Sequence, residues 1–172
     1  MNCLNVEIKA RCADPGRVRR GLEARKAEFR GTDHQVDTYF NVPRGRLKLR
    51  QGTIENCLVF YEREDRKGPK TCRARLFPTD PGSAPALKAL LAAALGVRRV
   101  VDKRREIYFI GNVKFHIDRV KGLGTFVEIE AQDAGGRYGK RELRAQCGAY
   151  AVILGITEGD LISGSYAEMA DL

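Results

Sequence analysis

A chain of 172 residues, 43% hydrophobic and 31% charged, is long enough for one domain with a real core and carries no low-complexity tract. No apolar run approaches the roughly 20 residues that cross a bilayer, and the start, Met1-Asn2-Cys3-Leu4-Asn5, lacks the basic and apolar regions of a signal peptide, so a cytoplasmic protein with no membrane partner is expected. The formal charge of +9 favours a polyanionic partner (nucleic acid, anionic membrane or a phosphate-rich small molecule), and where the basic residues fall must choose among them.

The first element alternates. From Leu4 to Arg11 every even position is apolar and every odd one polar, which predicts a strand with Asn5, Glu7, Lys9 and Arg11 on one face. Asp14-Pro15 then opens a helix with an N-cap and a proline at its first turn, and Val18, Leu22 and Phe29 form its apolar stripe up to Gly31. Five strands and a helix follow. Val36–Phe40 sets Asp37 with Tyr39, Leu47–Arg50 sets Lys48 with Arg50, and Leu58–Arg63 sets Tyr61 with Arg63. Cys72–Leu76 sets Arg73 with Arg75. Ser83 to Leu95 reads as a second helix, ended by Gly96. Val100–Ile110 carries Lys103 and Arg105 on one face and Arg104 and Glu106 on the other.

After a tight Gly111-Asn112 turn, Val113–Asp118 aligns Lys114, His116 and Asp118, and Thr125–Glu130 aligns Glu128 with Glu130. A third helix spans about Lys140 to Leu154 and a short helical tail covers Ser165 to Met169. Turn residues separate the strands, with no internal linker, so residues 1–172 form a single domain. The five cysteines (Cys3, Cys12, Cys57, Cys72, Cys147) lack C-x-x-C or zinc spacing and read as reduced, mostly buried thiols.

Eight strands suffice to close a barrel, and amphipathic helices need apolar strand faces to cover. The predicted fold is therefore α+β: a closed eight-stranded antiparallel β-barrel with helices packed outside and charged faces turned into the lumen. That lumen would hold Lys9, Lys48, Arg50, Arg63, Arg73, Lys103, Arg105 and Lys114 against Glu7, Asp37, Asp118, Glu128 and Glu130. An excess of buried cations is costly unless an anion and its counter-metals complete the site, which points to a metal-bound triphosphate.

These residues resemble a known family. Val6-Glu7-Ile8-Lys9 is similar to the end of the E-x-E-x-K motif that opens CYTH, or triphosphate tunnel, proteins. Leu47-Lys48-Leu49-Arg50, Tyr61-Glu62-Arg63, Lys103-Arg104-Arg105, and Asp118 followed by Gly122 to Glu130 resemble its later strands in order. Ser165-Tyr166-Ala167-Glu168-Met169 resembles the tail of class IV adenylyl cyclases.

The resemblance implies that Lys9, Lys48, Arg50, Arg63, Arg73, Lys103 and Arg105 bind phosphate. It implies that Glu7, Asp118, Glu128 and Glu130 hold Mg²⁺ or Mn²⁺, and that Glu7, Lys9, Glu128 and Glu130 carry the catalysis. The substrate would be ATP, thiamine triphosphate or tripolyphosphate. The leading activity is that of an adenylyl cyclase, with a thiamine or inorganic triphosphatase as its rival. A non-catalytic polyphosphate- or RNA-binding module is the third reading, because Asn5 stands where the motif has its first glutamate and adds no charge. Nucleic acid is otherwise disfavoured, since acidic residues interleave the basic runs and no aromatic platform accompanies them. The oligomeric state stays open, a homodimer included.

Of the histidines, His34 is expected at the surface, and His116 beside Asp118 in a hydrogen-bonded structural role. Tyr39 and Tyr61 either face a base at the tunnel mouth or pack. The charged stretch Arg63 to Lys70 reads as a solvated turn, with a lid as the alternative.

Overall fold

The computed structural model describes residues 2–133 and 135–169, the side chains of residues 2 and 3, Cys3 among them, lying outside that description. Its strands are β1 (Asn2–Arg11), β2 (Glu28–Phe40), β3 (Arg46–Gly52), β4 (Cys57–Arg63), β5 (Lys70–Pro78), β6 (Val97–Ile110), β7 (Val113–Val120) and β8 (Gly124–Asp133). They close into one barrel in the order β1-β5-β4-β3-β2-β6-β7-β8, every pair antiparallel. The helices are α1 (Pro15–Glu23), α2 (Ala84–Leu95), α3 (Lys140–Ile153) and the single-turn α4 (Tyr166–Met169). Among the described residues no helix is long and apolar enough to cross a membrane.

The outer core explains why half of the barrel turns its charge inward. Val6, Ile8 and Ala10 of β1, Val113, Phe115 and Ile117 of β7, and Val127, Ile129 and Ala131 of β8 are all buried. They pack with Val18 and Leu22 of α1 and Leu143 and Cys147 of α3. Because successive strand residues face opposite sides, fixing these outward sends Glu7, Lys9, Lys114, His116, Glu128 and Glu130 into the lumen. A second apolar cluster sits inside the barrel, where Phe126, Val120 and Val101 meet Tyr166 and the inner faces of β4 and β5.

Two expectations change. The first helix ends at Glu23, not near Gly31, and Phe29 lies in β2, half exposed and stacked on Tyr108 at 4.9 Å between ring centroids. Residues 28–40 instead run the length of β6, where the backbone gains a continuous ladder. Gly31, at φ 124°, takes up the register shift between Phe29 and Gly31, a conformation other residues adopt only with strain. The second change is on β5: Arg73 and Arg75 point outward and are exposed, while Lys70, Cys72 and Ala74 are buried. The outer face of β5 is open, with Arg73, Arg75 and Phe77 all exposed, so its charged side meets water.

Candidate active site in the barrel lumen

The lumen holds a cavity of about 530 Å³, within the range of small-molecule sites. Its charged side is built from ion pairs that link side chains of different strands, some adjacent and some one strand apart. Glu7 faces Glu130 and Lys9 faces Glu128 across the β1–β8 ladder. Lys9 Nζ lies 2.7 Å from Glu128, and Arg63 donates to Glu7 at 2.9 Å. Arg105 donates to Glu128 at 2.8 Å and to Asp118 at 2.7 Å. Asp37, fully buried, accepts from Lys48 at 2.9 Å, Arg50 at 2.9 Å and Lys103 at 3.1 Å.

Of the residues expected to grip phosphate, Lys9, Lys48, Arg50, Arg63, Lys103 and Arg105 all line the cavity, as does Lys114. Arg73 does not; it is on the outer wall. Of the expected metal ligands, Glu7, Glu128 and Glu130 line the cavity, whereas Asp118 lies behind Arg105, its carboxylate also accepting from the Tyr166 hydroxyl at 2.8 Å. Periodicity did not find Glu55. It lies in the loop between β3 and β4, accepts from Arg50 at 2.9 Å and pairs with Lys114. With Arg73 outside and Glu55 inside, the lumen charges are closer to balance than the sequence suggested.

The loop that carries Glu55 is firmly built. Buried Asp33 accepts from the backbone N–H groups of Ile54 (2.8 Å) and Glu55 (3.0 Å), from the Thr53 hydroxyl (2.9 Å) and from Gln35 (2.7 Å). A Cβ on Gly52 would come within 2.5 Å of the Glu55 carbonyl oxygen and 2.8 Å of the Asp33 carboxylate, so only glycine fits.

One end of the tunnel is covered by the segment after α3. Ile162 N–H donates to the Lys9 carbonyl at 2.9 Å. The fully buried Lys70 donates to the carbonyls of Ile162 (2.7 Å) and Ser163 (2.9 Å), and Arg46 pairs with Glu168 at 2.6 Å. Tyr166 enters the lumen there, its ring 3.5 Å below Lys9 Nζ and tilted on Phe126.

The electrostatics follow from burial and pairing. Burial works against ionisation of Asp37 and Glu128, yet the surrounding cations outweigh it and hold both carboxyls well below the usual range. Glu130 goes the other way: burial raises it, and Glu7 and Glu128 add to the rise against Lys114. Its neighbours Asn5 and Gln132 donate hydrogen bonds to it but carry no charge. Burial, with Arg105 and Arg50 nearby, pushes Lys103 down to about 7. Burial and Arg105 push His116 down to about 3, so its ring is neutral at ordinary pH, sharing a proton contact with Glu128 at 3.0 Å. His34 is half exposed and pairs with Asp102, as a surface residue should.

Among the described residues no three His, Cys, Asp or Glu side chains stand in coordinating geometry, because the carboxylates are taken up by Lys9, Arg63, Arg105 and Asn5. The donor set still fits a hard divalent cation: all-oxygen, and crowded enough that Glu130 resists ionisation without one. Arg63 Nε, a donor in a cavity-lining residue, is buried without a hydrogen-bond partner, which fits an anion.

The model of the CYTH domain matches residues 4–166. The comparison with curated proteins gives no match. Among solved structures, the PH1012 protein of Pyrococcus horikoshii OT3 is similar at 27% identity and a TM-score of 0.73, over 95% of this chain and 98% of that one. A candidate adenylate cyclase of Vibrio parahaemolyticus shares the fold at 19% identity and a TM-score of 0.74, over 98% of each chain. So does a Hippeastrum protein, described as a candidate adenylyl cyclase with a dominant triphosphatase activity, at 15% identity and a TM-score of 0.61, over 96% and 93%.

Proposed function

The chain belongs to the CYTH domain family, and from that premise we propose that it is a divalent-metal-dependent enzyme acting on a triphosphate, most like a class IV adenylyl cyclase that converts ATP to cyclic AMP and pyrophosphate. The observation that carries this reading is the lumen of paired ions. A metal–triphosphate is itself an alternation of cation and anion, so it could replace both halves of the Lys9–Glu128, Arg63–Glu7 and Arg105–Glu128 pairs: phosphate oxygens would take the three cations, Glu7 and Glu128 would join Glu130 in holding Mg²⁺ or Mn²⁺, and Lys48, Arg50 and Lys103, held by buried Asp37, would add further phosphate contacts. The divalent ion supplies charge neutralisation and acidifies the attacking hydroxyl.

The residues supply position. Arg50, Arg63 and Arg105 suit bidentate grips on phosphate, and the lysines give compact charge. Asp118 serves to aim Arg105, since it lies behind that guanidinium and off the cavity lining. His116, neutral and bonded to Glu128, orients that carboxylate. A triphosphatase is the second reading. It is supported by the dominant activity of the Hippeastrum relative, and the difference lies only in whether a ribose hydroxyl or water attacks. The protein is proposed to act in the cytoplasm.

Product analysis tests this. ATP, thiamine triphosphate and tripolyphosphate are each incubated with Mg²⁺ or Mn²⁺, and cyclic AMP, pyrophosphate and orthophosphate are measured. Cyclic AMP identifies the cyclase and orthophosphate the triphosphatase. Glu130→Gln, which keeps size and removes charge, should lower turnover about 10²–10³-fold while the fold and part of the triphosphate affinity remain. Full activity of Glu128→Gln and Glu130→Gln in EDTA would end the metalloenzyme reading.

A further inference from the structure

The lumen has a second wall, and the triphosphate reading gives it nothing to do. On β4 and β5 the inward side chains are Cys57, Val59, Tyr61, Cys72, Ala74 and Leu76. Apart from the tyrosine hydroxyl, this surface offers a phosphate no charge and no strong donor. Desolvating a polyphosphate against it would bring no return, whereas an organic ring would gain from leaving water.

Register places this wall next to the phosphate grip. Lys48 is the cross-strand partner of Val59, and Val59 is the partner of Leu76, so a cation and two apolar side chains form one row across β3, β4 and β5. Arg50 is likewise the partner of Cys57. The wall leads away from the end covered by Lys70 and Ser163: buried Cys72 lies beside Arg63, while Leu76 and Ile54 at the other end are 37% and 47% exposed. Ile54 is held over this mouth by the Asp33 bond to its own N–H, so the rim is set in place. A group esterified to a phosphate held at Lys48 and Arg50 would come to lie on Val59, with Leu76 and Ile54 around it.

We propose that the β4–β5 wall receives the organic group of the substrate, with Val59, Leu76 and Ile54 as its specificity-determining contacts, so that the enzyme takes an organic triphosphate ester, whose organic group lays its carbon framework on this wall, in preference to inorganic tripolyphosphate. The proposal rests on the triphosphate reading and extends it to the substrate class.

The test compares affinities of the intact protein with Mg²⁺ for the four common ribonucleoside triphosphates, thiamine triphosphate and tripolyphosphate. The wild type should bind at least one of the five esters more tightly than tripolyphosphate. Leu76→Asn and the nearly isosteric Val59→Thr should each weaken the preferred ester roughly tenfold, the scale on which an apolar pocket discriminates, and leave tripolyphosphate within about twofold. Unchanged tripolyphosphate affinity also certifies that each variant is folded. Equal losses for ester and tripolyphosphate, or a wild type that binds tripolyphosphate as tightly as every ester, would overturn the proposal. Failure of the triphosphate reading is seen separately and earlier. A wild type that binds no triphosphate ends both ideas, whereas selective ester binding without turnover supports the wall and ends only the proposed activity.

Discussion

The β1–β8–β7–β6 wall and the β4–β5 wall enclose the same cavity but are built on opposite plans. On the first, α1 and α3 cover the outer surface, so Val6, Ile8, Phe115 and Ile129 turn outward and Lys9, Arg105, His116 and Glu128 turn inward. On β5 the outer face is open to water, where Arg73, Arg75 and Phe77 are exposed, while Cys72, Ala74 and Leu76 turn in. The polarity of each strand is thus set by what lies behind it. A barrel can carry a charged wall and an apolar wall side by side, provided its outer cover is equally uneven.

The charged side of the lumen, which continues from β6 onto β2 and β3, should be the fragile one. Asp37 holds three cations in a fully buried position. Asp37→Asn leaves them without their counter-charge and should lower the stability of the ligand-free protein by about 3–5 kcal/mol. Urea denaturation reads this directly, and millimolar tripolyphosphate should restore part of the loss by supplying the missing anion. Cys72→Ala on the other wall should leave the midpoint nearly in place; equal losses would erase the distinction.

The walls should also differ in pH response. Lys103 is pushed down to about 7 in the free protein, and a phosphate beside it raises that value. Below about pH 7 the amine is charged with or without ligand, so affinity is flat. Above it, the free amine is neutral and must take up a proton on binding, so affinity falls by up to about tenfold per pH unit until the pKa of the complex is reached. Calorimetry at pH 8 in two buffers of different ionisation heat should show this uptake. Lys103→Arg should reduce it, since arginine stays charged throughout.

The smallest effect sharpens the contrast most. Arg73→Ala and Arg75→Ala should leave kcat and KM within about twofold, as exposed charges outside the cavity rarely matter more. Arg105→Ala, by comparison, removes charge-assisted bonds worth roughly 1.5–3 kcal/mol. A tenfold loss at Arg73 would return β5 to the charged plan.

Much of this was legible in the sequence. The Leu4–Arg11 alternation identified β1 and its inward residues, because that strand is covered on one face and charged on the other. The Lys103-Arg104-Arg105 run resolved into inward and outward sides for the same reason. On β5 the period was right and its direction wrong: alternation says that two faces differ, and only the tertiary cover says which is inside. Phe29 extended a plausible helical stripe, but pairing with β6 outweighed it. Glu55 had no local signal, and Lys70, read as the end of a solvated turn, is fully buried instead. One is aimed by a loop pinned to Asp33, the other buried by carbonyls more than ninety residues away.

The closure of the barrel has a consequence for how it is made. β1, whose residues 4–11 lie against residues 126–133 of β8, is also the strand that reaches back to β5, so neither of its edges has a partner when it leaves the ribosome. The hairpins β2–β3, β3–β4, β4–β5, β6–β7 and β7–β8 can zip locally as they are synthesised, but the ring cannot shut until β8 has emerged. Assembly should therefore be slow and dominated by long-range closure, with β1 the segment most exposed to mispairing and most in need of a chaperone while it waits.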